Sequence, residues 1–141
     1  AYDLGQYEEA VTASTICIVL ADGEPWTYYN RGLANLQLKR HDSARRDFDR
    51  ALELDGSLAT AALERGMLSY EEQHYSEAIA DLKRASTGGA DTARIAYGLA
   101  LAYTATDDRE NALRQLDILF AQDPDHEGGR KLANLLDRGE E

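Results

Sequence analysis

Apolar residues along the chain recur with the spacing of an α-helix. In residues 42–54, Ala44, Phe48, Ala51 and Leu52 stand at positions i, i+4, i+7 and i+8, which is one helical face. No stretch shows the sustained alternation of apolar and polar residues that a half-buried strand requires. The pattern therefore predicts an all-α protein. The predicted helices cover 6–20, 26–39, 42–54, 59–72, 75–87, 92–105, 109–121 and 127–138.

The helical pattern itself repeats with a period of 34 residues. A column is here a set of positions related by this period. The small or apolar columns are Ala10, Ala44, Ala78 and Ala112; Gly32, Gly66 and Ala100; Cys17, Ala51, Ala85 and Leu119; and Ser14, Phe48, Leu82 and Leu116. Each period holds two predicted helices joined by a short loop, so neighbouring helices are expected to pack antiparallel. Small residues let the two helices approach closely, and the larger apolar ones fill the space between periods.

These columns resemble the tetratricopeptide repeat, a 34-residue helix–turn–helix unit. The resemblance is clearest in 25–58, where Tyr28 stands for the motif's tryptophan and Gly32, Ala44 and Phe48 match it. Arg31 replaces the motif's leucine in this unit. The resemblance implies a right-handed α-solenoid of antiparallel helix pairs, a superhelix closed by a C-terminal capping helix. The expected divisions of this one continuous domain are a partial first unit at 1–24, whole units at 25–58, 59–92 and 93–126, and a capping helix at 127–141.

The register of the repeat places the start of the first unit before Ala1. We therefore expect the leading helix of that unit to be missing, and the chain to be part of a longer protein. At the other end, Leu132, Leu135 and Leu136 lie on one side of the last helix and charged residues lie elsewhere. This is the distribution that a capping helix needs, with one face for the last unit and one for water.

The resemblance also implies a function, namely a non-catalytic scaffold that binds a peptide or protein segment in the concave groove. In such arrays the first helix of each unit lines the groove. The residues expected there are Trp26, Tyr29, Asn30, Leu33, Gln37, Glu64, Met67, Tyr70, Glu71, Arg94, Tyr97 and Leu101. Aromatic residues and methionine are enriched at binding hot spots. Leu63 is also expected on this face of its helix. The alternative for some of these positions, and notably for Leu63 and Leu101, is simple packing between adjacent first helices.

One function known in the family, a clamp for acidic C-terminal tails, is disfavoured by the sequence. Asn30 matches the clamp's second-unit asparagine, but Thr60 and Glu64 stand where its third-unit cations are expected. A glutamate there reverses the sign of the interaction with a carboxylate. The expected partner therefore has apolar anchors, which would contact Tyr29, Leu33, Met67 and Tyr97, and some positive charge. Asn30 is expected to hydrogen-bond the partner's backbone.

The charge and the composition exclude several other classes of protein. The 141 residues carry a formal net charge of −11, whereas a nucleic-acid partner would need a basic face. No apolar run is long enough to cross a membrane. The histidines are unpaired, no zinc-ligand spacing or phosphate loop occurs, and we expect neither a cofactor nor enzymatic activity. His41 shares a column with Tyr7 and Tyr75 and is expected to pack, whereas His74 and His126 are expected to be solvated. Cys17 is expected to be a small buried hydrophobe.

Two further functions remain open. The incomplete first unit could expose an apolar end through which two copies form a homodimer. Alternatively, the chain could be a regulatory domain of a multi-domain enzyme. A composition rich in Ala, Leu, Arg and Glu favours a cytoplasmic location.

Overall fold

The computed structural model describes residues 3–139, and within this range the chain forms eight α-helices and no strand. The helices are α1 (Leu4–Ala21), α2 (Pro25–Gln37), α3 (His41–Leu54), α4 (Ala59–Glu71), α5 (Tyr75–Thr87), α6 (Thr92–Ala105), α7 (Arg109–Gln122) and α8 (Glu127–Arg138). The predicted all-α fold class is confirmed. The largest differences from the predicted bounds lie at the start of α1 and the end of α2. Helix α1 begins earlier because the Asp3 carboxylate accepts a hydrogen bond from the Gln6 N–H at 3.1 Å and caps it.

The helices pack as successive antiparallel pairs. Helix α2 packs on α3, α4 on α5, and α6 on α7. We call α2, α4 and α6 the first helices of their units, and α1, α3, α5 and α7 the second helices. Each second helix also contacts the helix that follows it, and α4 contacts α6 directly. Because the helix contacts within residues 3–139 join neighbouring units, the described chain is an open solenoid.

The small and apolar columns form the core of this solenoid. Ala44, Ala78 and Ala112 have no exposed surface, and Phe48 and Leu82 are equally buried. The first members of the same columns differ, since Ala10 is exposed and Ser14 is only half-buried. The core therefore runs from α2 towards α8, and α1, which has no buried residue, lies at its edge.

A glycine stands where the two helices cross in units 25–58 and 59–92, whereas the buried Ala100 takes this position in unit 93–126. A Cβ atom added to Gly32 would lie 2.6 Å from the ring of Phe48, which is fully buried and has no room to move. At Gly66 the corresponding atom would lie 3.0 Å from Leu82. The small column therefore sets the distance between the helices of a pair.

The expectation that Cys17 is buried is wrong. Cys17 is an exposed free cysteine, although Ala51 and Ala85 in its column have no exposed surface. The reason is that α3 and α5 are each covered by the first helix of their own unit. Among residues 3–139 no helix covers the corresponding side of α1, whose main packing partner is α2.

Candidate binding groove

The first helices place the predicted groove residues on a common surface. Tyr29 and Leu33 are one turn apart on α2, as are Tyr97 and Leu101 on α6, so each pair shares a helical face. Glu64, Met67 and Glu71 follow the same face of α4. Asn30, Gln37 and Glu71 are exposed, whereas Leu33 and Leu101 are half-buried. The surface is thus a half-buried apolar strip with polar residues along its edges.

One end of the strip consists of two aromatic rings. Trp26 is 53% exposed, and its ring meets the ring of Tyr29 edge-on with centroids 5.4 Å apart. Tyr29 in turn contacts the buried Phe48, with ring centroids 6.0 Å apart. Because Tyr29 is held by the core, it presents a fixed aromatic edge, and Trp26 extends this edge towards solvent.

The centre of the strip contains an ion pair that the sequence did not predict. Arg94 on α6 donates to Glu64 on α4, with Nη1 and Oε1 2.9 Å apart. The hydrogen bond to Glu64 is the main cause that raises the pKa of Arg94. The side chain of Glu64 is 12% exposed. The negative charge that was expected to attract a partner at Glu64 is therefore already neutralised within the molecule, and Glu71 keeps the exposed negative charge.

The charges of Glu64 and Arg94 both act on the pKa of Tyr29. Burial is the largest cause that raises the pKa of its phenol, and the negative charge of Glu64 adds to it. The Thr60 hydroxyl and Arg94 act in the opposite direction. The phenol is therefore neutral at physiological pH and available as a hydrogen-bond donor.

Met67 lies where α4 passes α6. A Cβ atom added to Gly98 would lie 2.8 Å from the Met67 sulfur, so the glycine makes room for the thioether. Met67 is half-buried, and its flexible side chain can adapt to an apolar partner. By contrast, Leu63 is 2% exposed and belongs to the core, so the packing alternative is correct for this residue.

The far end of the strip is a cluster of tyrosines, of which Tyr97 lies next to the start of α8. The rings of Tyr70 and Tyr75 lie 5.7 Å apart, and Tyr97 is close enough to help raise the pKa of Tyr70, for which burial is the main cause. The ring of Tyr97 packs on His126 with centroids 4.6 Å apart. Tyr97 therefore packs against the start of α8 in addition to lying on the groove face of α6.

The expectation that His126 is solvated is wrong. His126 is half-buried against Tyr97, and its Nδ1 accepts a hydrogen bond from the Gly129 N–H at 2.9 Å, which caps α8. The sequence signal was its position directly before the last predicted helix. His74 is exposed, as expected, and His41 is half-buried with its Nδ1 3.9 Å from the Glu71 carboxylate.

Sequence reasoning also missed polar contacts on the second-helix side of the molecule. Arg31 binds Asp47 through two guanidinium nitrogens, and Arg65 binds Asp81 in the same way. Both pairs are separated by 16 residues, and the second pair follows the first by one period. This repeated spacing of opposite charges was the signal that could have revealed them.

The described residues contain no feature of a metal site or a membrane span. No group of three or more His, Cys, Asp and Glu side chains between residues 3 and 139 is placed to hold a metal ion. Over the same residues, every helix is too short or too polar to cross a bilayer.

Comparison with known proteins agrees with this architecture. The tetratricopeptide repeat family matches residues 25–58. The solved structure of YrrB, described as a TPR protein with an unusual peptide-binding site, superposes with a TM-score of 0.79 at 22% identity over 92% of this chain and 67% of YrrB. Pseudomonas aeruginosa pilF gives 0.81 at 24% identity over 92% of this chain and 60% of pilF. The first TPR of Spaghetti (RPAP3), bound to the HSP90 peptide SRMEEVD, gives 0.77 at 11% identity over 82% of this chain and 92% of that one.

Residues 25–58 are thus a tetratricopeptide repeat, and the columns of period 34 and the shared fold show the same helix-pair architecture along the rest of the described chain. This repeat and fold are those of protein-interaction scaffolds, which are generally non-catalytic.

Proposed function

We propose that the groove formed by α2, α4 and α6 binds a segment of a partner protein through apolar anchor residues. The observation that supports this most directly is the strip of Trp26, Tyr29, Leu33, Met67 and Tyr70. These side chains retain exposed surface although they lie on the first helices of two successive units, α2 and α4, in a packed solenoid. Aromatic and methionine side chains of this kind, held by a rigid scaffold, are the usual centre of a protein interface.

The polar residues of the groove suggest how the partner segment is oriented. Asn30 is exposed beside Tyr29 and can donate to and accept from a peptide backbone. Glu71 is exposed at the opposite end of the α4 face and favours a basic residue in the partner. Glu64 no longer contributes to this preference, because it is paired with Arg94.

An acidic peptide fits this groove poorly. The RPAP3 structure contains the peptide SRMEEVD, which carries two adjacent glutamates. In this chain Thr60 and Glu64 occupy positions where the family's clamp uses cations, and Arg94 is engaged by Glu64. A partner with apolar anchors and a basic residue is therefore favoured over an acidic tail.

Screening a peptide array, followed by titration of the selected peptide, tests the proposal. We expect Tyr29→Ala and Trp26→Ala each to weaken binding by roughly tenfold or more, as truncation of aromatic anchors does. Met67→Glu places a charge in the apolar strip and is expected to abolish binding. Fluorescence anisotropy with the labelled peptide measures all three.

Leu54→Glu is the matched control, since Leu54 is also a partly exposed apolar residue but lies at the end of α3, away from the first helices. It should bind the peptide as the parent chain does. The assignment of the groove is refuted if Tyr29→Ala, Trp26→Ala and Met67→Glu all bind with unchanged affinity while remaining folded by circular dichroism.

Self-association is a second proposal, which an exposed apolar face on α1 supports. Leu4, Ile16, Val19 and Leu20 are each more than half exposed there. Residues 1–24 carry five acidic and no basic side chains, so pairing of two such faces should strengthen as salt screens their repulsion. Sedimentation velocity should then show a dimer at high salt that Val19→Glu removes. A monomer at every salt concentration contradicts this second proposal without affecting the first.

A further inference from the structure

The junctions between successive units carry pockets on the second-helix side of the molecule. The first lies among α1, α2 and α3, the second among α3, α4 and α5, and the third among α5, α6 and α7. Their volumes are about 350, 320 and 230 Å³. On α6 the third pocket is lined by Ile95 and Leu99, which are two residues away from Tyr97 and Leu101 and so face away from the groove.

Ion pairs occupy the first two pockets. In the first, Arg31 and Asn35 both donate to the Asp47 carboxylate, with the Asn35 amide nitrogen 3.0 Å from Oδ2. In the second, Arg65 binds Asp81 at 2.7 Å and Asp49 at 3.0 Å. The central charges of these two pockets are thus satisfied by neighbouring residues of the same pocket.

The third pocket has lost this network at every corresponding position. Leu99 stands in the column of Arg65, Gln115 in that of Asp81, and Lys83 in that of Asp49. Ile118 likewise follows Arg84 by one period. The floor is consequently apolar and consists of the buried side chains of Ile95, Ala96 and Leu99, with the half-exposed Ile118 at the edge.

Two small residues keep the third pocket open. Ser86 and Thr92 line it, and their counterparts one period earlier are Leu52 and Leu58. Both leucines are buried in the core, with 6% and 7% of their surface exposed. A leucine side chain at position 86 could therefore fill part of the third pocket. Because Ser86 is smaller, that part of the pocket is available to a ligand.

Lys83 is the single charged side chain among the residues that line the third pocket. It lies 5.8 Å from the ring centroid of Tyr103, and no ion pair joins it to a carboxylate among residues 3–139. Its charge still reaches Asp108, whose pKa is lowered first by hydrogen bonds to Asn111 and to a smaller degree by Lys83. Its positive charge at the edge of an apolar floor complements a carboxylate next to an aliphatic group.

We propose that this pocket is a second docking site, separate from the groove, for an aliphatic side chain that lies beside a carboxylate in an acidic segment of a partner protein. The pocket is smaller than the roughly 300–1,000 Å³ that drug-sized ligands occupy, and it suits one leucine- or isoleucine-sized side chain. The aliphatic group covers Ile95, Leu99 and Ile118, and the carboxylate pairs with Lys83.

Methyl NMR of the chain, with isoleucine and leucine methyl groups labelled, tests this proposal with acetyl-Glu-Leu-Glu-amide as the probe. We expect saturable shifts of the Ile95, Leu99 and Ile118 methyl signals, with a Kd on the order of a few millimolar for so small a ligand. Acetyl-Glu-Ala-Glu-amide lacks the aliphatic group and should cause no saturable shift. Acetyl-Lys-Leu-Lys-amide reverses the charge and should bind more weakly.

Three variants locate the binding. Ser86→Leu fills the pocket as Leu52 fills the preceding one, so it should keep or raise the Tm and weaken binding by about tenfold or more. Ser86→Ala removes the hydroxyl without filling the space and should bind normally. Lys83→Gln should weaken binding by roughly two- to fivefold, the range of an exposed ion pair. If Ser86→Leu does not fold, Thr92→Leu replaces it, with Leu58 as its template.

The proposal is overturned if the parent chain shows no saturable shift, if both Ser86→Leu and Ser86→Ala bind as the parent does, or if the lysine-flanked peptide binds as tightly as the glutamate-flanked one. Met67→Glu, which disrupts the groove, should leave this titration unchanged. The two sites can therefore fail independently.

Discussion

At the scale of single residues, the buried charges of the second-helix side are the feature most sensitive to substitution. Asp47 is 3% exposed, and it accepts hydrogen bonds from both Arg31 and Asn35. Removing the carboxylate would leave a guanidinium and an amide partly buried without their acceptor. An unpaired polar group of this kind destabilises the folded state by more than the intact pair stabilises it.

We predict that Asp47→Ala lowers the free energy of unfolding by about 2–3 kcal/mol. Asp49→Ala is the control, because the Asp49 side chain is 43% exposed in its ion pair with Arg65. It should cost less than about 1 kcal/mol. Urea denaturation of the three proteins measures both effects, and equal losses in the two variants would contradict the role given to Asp47.

Single residues are also where sequence reasoning was least complete. Arg31 was visible only as a departure from the repeat motif, because the motif describes helix packing and not the polar contacts between helices. Cys17 was assigned from its column, yet burial depends on a neighbouring helix that the described residues do not supply. His126 was assigned from its loop position, although a residue directly before a helix can cap it.

At the scale of elements, the turn inside each whole unit is a backbone feature that recurs with the repeat. Lys39, Gln73 and Asp107 have φ angles of 59°, 65° and 62° and are spaced by one period. The next residue in each case donates its N–H to the carbonyl five residues earlier, at 2.8 Å in all three turns. This is the Schellman ending, in which a left-handed residue terminates the helix. It explains why α2 ends at Gln37 and not at the predicted residue 39.

Glycine adopts this left-handed conformation without the steric cost that a Cβ atom brings. We therefore predict that Gln73→Gly raises the free energy of unfolding by about 0.5–1 kcal/mol, which is the strain relieved less the added freedom of the unfolded chain. Gln73→Ala retains the Cβ atom and should give no such gain. Thermal unfolding followed by circular dichroism measures the difference, and a glycine variant no more stable than the alanine variant would speak against the strain argument.

The elements themselves could be predicted well from the sequence. The period of 34 residues predicted the number of helices, and Pro25, Gly56, Gly88 and Pro124 lie in or next to the loops between units. The bounds were less accurate at α1 and α2, where an aspartate cap and a left-handed lysine decide the ends. Neither residue type is restricted to such positions, so the pattern alone could not place them.

At the scale of the whole molecule, the groove depends on contacts between units that the repeat pattern does not show. Glu64 and Arg94 are 30 residues apart and meet because α4 and α6 lie side by side in the solenoid. Because of this pairing, the groove presents the exposed charge of Glu71 and not that of Glu64. The helix faces that line the groove could be predicted from helical spacing. The ion pair that neutralises Glu64 could be seen only in the structure.

The same stacking separates the proposed functions in space. First helices form the groove, the opposite side of α6 together with α5 and α7 forms the pocket beside Lys83, and α1 carries the exposed apolar face. A partner segment in the groove would contact three units at once, so its affinity depends on the spacing that the small columns set. Binding at one face leaves the other faces accessible.

Backbone and methyl NMR mapping of the array-selected peptide on the parent chain tests the groove most directly. We predict that the largest shifts fall on Tyr29, Asn30, Leu33, Met67 and Tyr70, and that Trp26→Ala reduces them at equal peptide concentration. Shifts confined to α1 or to the second helices α3, α5 and α7, with the Tyr29 and Met67 signals unmoved at saturation, would contradict the proposal.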